Sequence, residues 1–190
     1  MLTHLIKTIN WVDVALAILL IRMIFVGVKN GFISEFFKLL AVVVAAFICL
    51  HYYSYLAAWT AQKTHHHWDF WELTFFALLW IGVWLFFKLV REGVLLLFKA
   101  ETTHEGFDKY AAGVVAIGRG ILVCSLTIFL ILLMHCSFLA RMTLRSYSFK
   151  IAGHASVSTY SFLYNNLVSK LFTREHYNAA APKVLRPEGK

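Results

Sequence analysis

The residues of this chain best placed to do chemistry are charges embedded in apolar sequence. Arg22 lies within VALAILLIRMIFVGV, Glu35 opens the run GFISEFFKLLAVVVAAF, and Asp108 and Arg119 flank and enter AAGVVAIGRGILVCSLTIFLILL. A charge at hydrocarbon depth is costly, faces protein or water rather than lipid, and serves an ion pair or a solute path. The chemistry to expect is therefore recognition of opposite charge. Arg22, Glu35, Asp108 and Arg119, with Arg91 and Glu92, are expected to gather toward one membrane surface as a polar belt. For Arg119 two readings stand side by side, an interfacial anchor and a functional charge. Arg22 precedes Val28 by six residues, roughly 9 Å of helix, so its side chain can snorkel to the nearer interface. Asp13 lies nine residues from Arg22 and points to the opposite helix face at 100° per residue, so the two need separate partners.

Other chemistries find less support. His65, His66 and His67, with His51 and Asp69 nearby, invite a metal site, but consecutive residues splay apart and two-His sites favour spacings such as i and i+4. A solvated loop is expected there, and no metal. Cys49, Cys124 and Cys136 lie in apolar segments without C-x-x-C spacing, which suits packing residues better than a disulfide framework or zinc. No carboxylate or histidine pair has recognisable catalytic spacing, and no serine sits in a nucleophile elbow. The expectation is a protein that is not an enzyme and carries no cofactor.

The elements that must position these charges are membrane spans. The 190 residues are 60% apolar and 16% aromatic, with a mean hydropathy of +0.69, more than a soluble core could bury. Four spans are expected, at about 11–28, 33–55, 69–90 and 108–139. The first is read as retained, because no small-residue cleavage site leads into polar sequence. Asn10 is its expected N-cap, and Asp13 is expected to meet the N–H groups of its own first turn. Gly27 and Gly31 have G-x-x-x-G spacing, yet the stretch from Val28 to Gly31 reads as a turn, which makes close packing the weaker reading. Asp108 is expected to cap the fourth helix. Residues 108–120 are either its amphipathic first turns or a re-entrant piece. Along that helix Ala112, Ala116, Gly120 and Cys124 recur every four residues, a stripe of small side chains for close helix packing.

After Leu139 the pattern changes. Val157, Tyr160, Leu163, Tyr164, Leu167, Val168 and Leu171 follow helical spacing with polar residues between them, so an amphipathic helix is expected on the bilayer surface or across one end of the bundle. The fold class is thus all-α, an integral membrane bundle of about four transmembrane helices plus a C-terminal amphipathic helix. Residues 1–150 form the membrane domain, 151–175 the interfacial helix and 176–190 a disordered basic tail. The net charge of +8 lacks a basic, aromatic-interleaved soluble module, so the lipid bilayer is the expected partner and nucleic acid is not. Basic residues near the spans narrowly favour loops one and three in the cytoplasm and both termini outside.

Three short stretches carry a family resemblance. Asn10-Trp11-Val12-Asp13, then Lys29-Asn30-Gly31-Phe32 followed by Glu35, then Asp108 with Gly113, Arg119 and Gly120, occur in this order between apolar runs. Together they resemble the colicin V production protein (CvpA) family over about Trp11 to Leu133. Where that family usually has glycine, this chain has Ala112 and Ala116, which keeps the stripe small without its glycines. The resemblance implies a multi-pass protein of the bacterial inner membrane, associated with colicin V production or export and with envelope stress tolerance. A homo-oligomer or a membrane-protein partner packed through the small stripe is expected. The alternative is a small channel or transporter for ions or small solutes, suggested by Arg22, Glu35 and Arg119.

Overall fold

The computed structural model describes residues 10–63, 68–98, 105–171 and 176–185. Four long helices dominate it: α1 (Trp11–Asn30), α2 (Phe32–Ala61), α3 (Trp68–Phe98) and α4 (Glu105–Leu133). Each is long and apolar enough to cross a membrane. Helix α1 begins as expected, with Asn10 Oδ1 accepting from Val12 N at 3.1 Å. It runs unbroken to Asn30, so Gly27 lies inside the helix. Gly31 alone makes the turn, with φ at +78°, a backbone conformation open to glycine at little steric cost.

The chain goes up and down, but sequence neighbours are not always the closest partners. Helices α1 and α4 pack along much of their length, as do α2 and α3, while α4 also lies against α2. Consecutive α1 and α2 touch over a short stretch only. Helix α4 is consequently the most enclosed of the four, and α3 turns most of its surface outward, with Trp84, Leu85, Phe86 and Leu89 all exposed. Between helices in lipid, dispersion and close fit do the holding, because lipid tails are as apolar as the side chains. Tyr53 of α2, Phe76 of α3 and Phe129 of α4 supply that fit. They are fully buried, with Phe76 and Phe129 stacked at 5.3 Å and Tyr53 edge-on to both.

The helix boundaries decide two points that the sequence left open and shift one helix end. Helix α3 passes through Arg91 and Glu92 without a break and continues to Phe98. Residues 108–120 belong to continuous helix, which decides against a re-entrant piece. That helix stops at Leu133 rather than Leu139, because His135 takes a left-handed conformation at φ +50° and its ring Nδ1 lies 2.8 Å from Leu133 O. Ser137 to Leu139 belong instead to a separate short helix, α5 (Ser137–Leu144). Cys136, expected to be packed, is exposed in this connection, whereas Cys49 and Cys124 are buried.

Beyond α5 the chain covers one end of the bundle with α6 (Tyr147–Ala152), α7 (Ala155–Leu163), a π-helical turn (Tyr164–Val168), α8 (Ser169–Leu171) and α9 (Ala180–Val184). Val157 and Tyr160 face inward as the spacing predicts, and Leu167 is exposed. Polar contacts fix the cover. Ser125 Oγ of α4 donates to Ser156 Oγ and accepts from Ser156 N, both at 2.8 Å. His51 of α2 lies 3.1 Å from the Tyr160 hydroxyl, so it belongs to this seam, while His65, His66 and His67 lie outside the described residues. The expected disordered tail is not what residues 176–185 form. Asn178 Nδ2 donates to Leu50 O at 2.7 Å and Ser54 Oγ at 2.9 Å, Tyr177 stacks on Tyr160, and Ala181 and Leu185 are buried.

Candidate functional site

The charged residues near the α1–α2 turn are assembled by the small side chains of α1 and α4. A Cβ added at Gly27 would sit 2.3 Å from Ala116 Cβ, and one at Gly120 would sit 2.5 Å from Leu20 Cδ1. One turn further on, Cys124 Sγ lies 3.8 Å from Leu16 O. Ala112 and Ala116 are fully buried. The stripe therefore packs α4 onto α1 within a single chain, and its face is not available to a second copy. Gly27, expected at the turn, is a close-packing position. Its missing side chain leaves space for Glu35, whose Oε2 lies 3.3 Å from that hypothetical Cβ.

Glu35 and Arg119 meet in that space. Arg119 Nη2 lies 2.9 Å from Glu35 Oε2, an ionic contact without good hydrogen-bond alignment. The same nitrogen donates to Met23 O at 3.3 Å. The other carboxylate oxygen accepts from Lys38 Nζ at 2.6 Å and Asn30 Nδ2 at 3.2 Å. Glu35 is 0% and Arg119 8% exposed, which makes this a buried charge network joining α1, α2 and α4. Its direction follows from helix geometry. Arg119 lies roughly 16 Å along α4 from Asp108, and helical side chains lean toward their own N-terminus, so the guanidinium reaches back up toward the turn.

The other expected belt members make different contacts. Asp108 does not cap its own helix. Its Oδ1 accepts from Phe32 N at 3.0 Å and so caps α2 across the bundle, with Oδ2 placed where a side chain at Gly31 would go. Asp13 behaves alike at the opposite end: its carboxylate accepts from Ser148 N at 2.7 Å and Tyr147 N at 3.1 Å, capping α6 rather than α1. Arg22 is exposed and makes no ion pair among the described residues, so it stands apart from the network. Arg91 and Glu92 approach each other at 3.9 Å.

Beside the buried pair is a cavity of about 390 Å³, and Lys38, Lys88, Arg91 and Arg119 all reach it. Its walls are apolar: Ala41 and Ala45 from α2, Val123 from α4, and Trp80, Trp84 and Phe87 from α3. Helices α3 and α4 meet at Phe76 and Phe129 but make few contacts elsewhere, so the cavity lies where they diverge. Of the three basic residues beyond Arg119, Arg91 was expected in the polar belt, whereas Lys38 and Lys88 were not expected at a site. A signal was present, because Trp80, Trp84, Phe87, Lys88 and Arg91 fall at i, i+4, i+7, i+8 and i+11, one face of α3. Lys88 Nζ lies 5.7 Å from the Trp84 ring, within reach of a cation–π contact.

Among the described residues no group of three or more His, Cys, Asp or Glu could hold a metal ion. The arrangement presents buried ion pairing and an excess of positive charge beside an apolar wall. In comparison with known proteins, a family model described as colicin V production protein matches residues 12–157. No curated protein and no solved structure matches the chain.

Proposed function

The chain belongs to the colicin V production protein family, and from that premise we propose that it acts, without catalysing a reaction, in colicin V production or export and in envelope homeostasis. It does so as a multi-pass protein of the bacterial inner membrane. The observation that carries the reading is the Glu35–Arg119 pair, buried at 0% and 8% exposure between helices that each could span a membrane. An ionisable pair at this depth is retained against a desolvation cost of several kcal/mol per ion, which marks it as the place where the protein's working form is set. The matched region holds both residues.

A strain lacking this chain and carrying a colicin V plasmid tests the proposal. Wild-type complementation restores toxin in the medium, whereas Glu35→Gln, at normal membrane abundance, does not. Full toxin release by the variant overturns the assignment of the pair, and full release without the chain overturns the role in production.

A second reading, a small channel or transporter, draws on the four cations around the cavity. Against a pore through one copy stands the fully buried contact of Tyr53, Phe76 and Phe129 in the other half of the bundle. Anion flux in liposomes that Arg119→Ala alters favours this reading; equal flux with and without folded protein removes it.

A further inference from the structure

We propose that the cavity beside the Glu35–Arg119 pair holds the phosphate and upper acyl chain of an anionic glycerophospholipid. The inference goes beyond the proposed role and rests only on the four helices lying in a membrane. Charge is the first support. Lys38, Lys88, Arg91 and Arg119 reach the cavity, and the carboxylates near them are Glu35, shared between Lys38 and Arg119, and Glu92 beside Arg91. Among the described residues, four cations against two anions leave the site positive by two charges.

Hydrogen bonding is the second and independent support. Arg119 Nε and Arg91 Nε are buried and have no hydrogen-bond partner among the described residues. A buried guanidinium N–H without an acceptor is expensive, and a phosphate oxygen is the acceptor that arginine's planar fork fits best. Both arginines line the one cavity, from α3 and α4, which favours an oxyanion there.

The walls select a lipid over a soluble anion. Ala41, Ala45, Val123 and Trp80 continue the cavity deeper into the bundle than the cations, and their surfaces offer a free phosphate nothing. Exposed Trp84 and Lys88 stand at the outer side, where tryptophan and a basic residue suit the headgroup level. The volume of about 390 Å³ lies within the usual range for small-molecule sites.

The test is native mass spectrometry of the intact chain in detergent, titrated with phosphatidylglycerol or phosphatidylcholine. Phosphatidylglycerol is expected to bind about tenfold or more tightly, since both lipids carry a phosphate but the quaternary ammonium of phosphatidylcholine cancels its charge and is repelled by a net positive site. Lys88→Gln with Arg91→Gln should reduce that preference to near parity, while Lys63→Gln with Arg145→Gln, on exposed residues away from the cavity, should keep it. Ala41→Phe, which fills the cavity and leaves every cation in place, should also abolish the preference. It serves as the second test if the double variant does not fold. Equal retention of both lipids by the wild type, or an undiminished preference in folded Lys88→Gln/Arg91→Gln or Ala41→Phe protein, overturns the proposal. Displacement of phosphatidylglycerol by millimolar inorganic phosphate does so too, in favour of a free-anion site.

Discussion

Gly27 of α1 faces Ala116 of α4 so closely that a single added carbon at position 27 would lie 2.3 Å from the Ala116 methyl group. No carbon pair tolerates that distance, so the helix separation is set by the pair of residues and not by either alone. The same approach opens the space in which Glu35 and Arg119 meet.

Gly27→Ala should destabilise the purified chain by about 1–3 kcal/mol, the usual cost of overpacking. Ala116→Gly in the same molecule removes the clash, so the double variant should recover most of the loss. Unfolding midpoints in detergent measure this cycle. Strictly additive effects would mean that the two side chains do not share one space.

Asp108→Ala should cost about 0.5–2 kcal/mol, because it removes the carboxylate that accepts from Phe32 N and caps α2. Since the cap reaches across the bundle, amide exchange should rise at the start of α2 and not only around position 108. Unchanged protection at Phe32 would show that the cap does not hold α2.

At the other end, Asp13→Ala should release α6, whose first amides bond to its carboxylate. Faster hydrogen exchange at Tyr147 and Ser148, with α1 itself unaffected, is the expected result. Exchange that rises in α1 instead would return Asp13 to the ordinary role of an acid at its own helix start. Asn178→Ala should similarly expose residues 176–185 to limited proteolysis, by removing the amide that holds them to Leu50 O and Ser54.

The spans were legible because runs of apolar residues of bilayer length are hard to place anywhere else. The small stripe was legible as a packing face, but its partner was not. Every-four spacing says that a backbone approaches, and only the tertiary fold shows that the backbone is α1 of the same chain. Glu35 and Arg119 were expected in one polar belt, but not as partners. Their pairing spans 84 residues of sequence and needs the helix order in space. Asp13 and Asp108 have the positions of ordinary caps, and sequence offers no sign that each serves a different helix. The end of α4 carries no glycine or proline signal, since a histidine takes the left-handed conformation there. Residues 176–185 look disordered by composition, yet one asparagine amide and one tyrosine ring dock them.

Glu35 and Arg119 form one buried unit joining α2 to α4, and a double-mutant cycle tests it most directly. Glu35→Gln is expected to lose about 3–5 kcal/mol, because it strands the buried Arg119 charge, and Arg119→Gln less, because Glu35 keeps Lys38 at 2.6 Å. The double variant, which strands neither, should lose less than the sum by roughly 1–3 kcal/mol. That coupling, measured by reversible unfolding of the full chain in mixed micelles, is the result predicted. Losses that add within about 0.3–0.5 kcal/mol, the behaviour of independent sites, would contradict it.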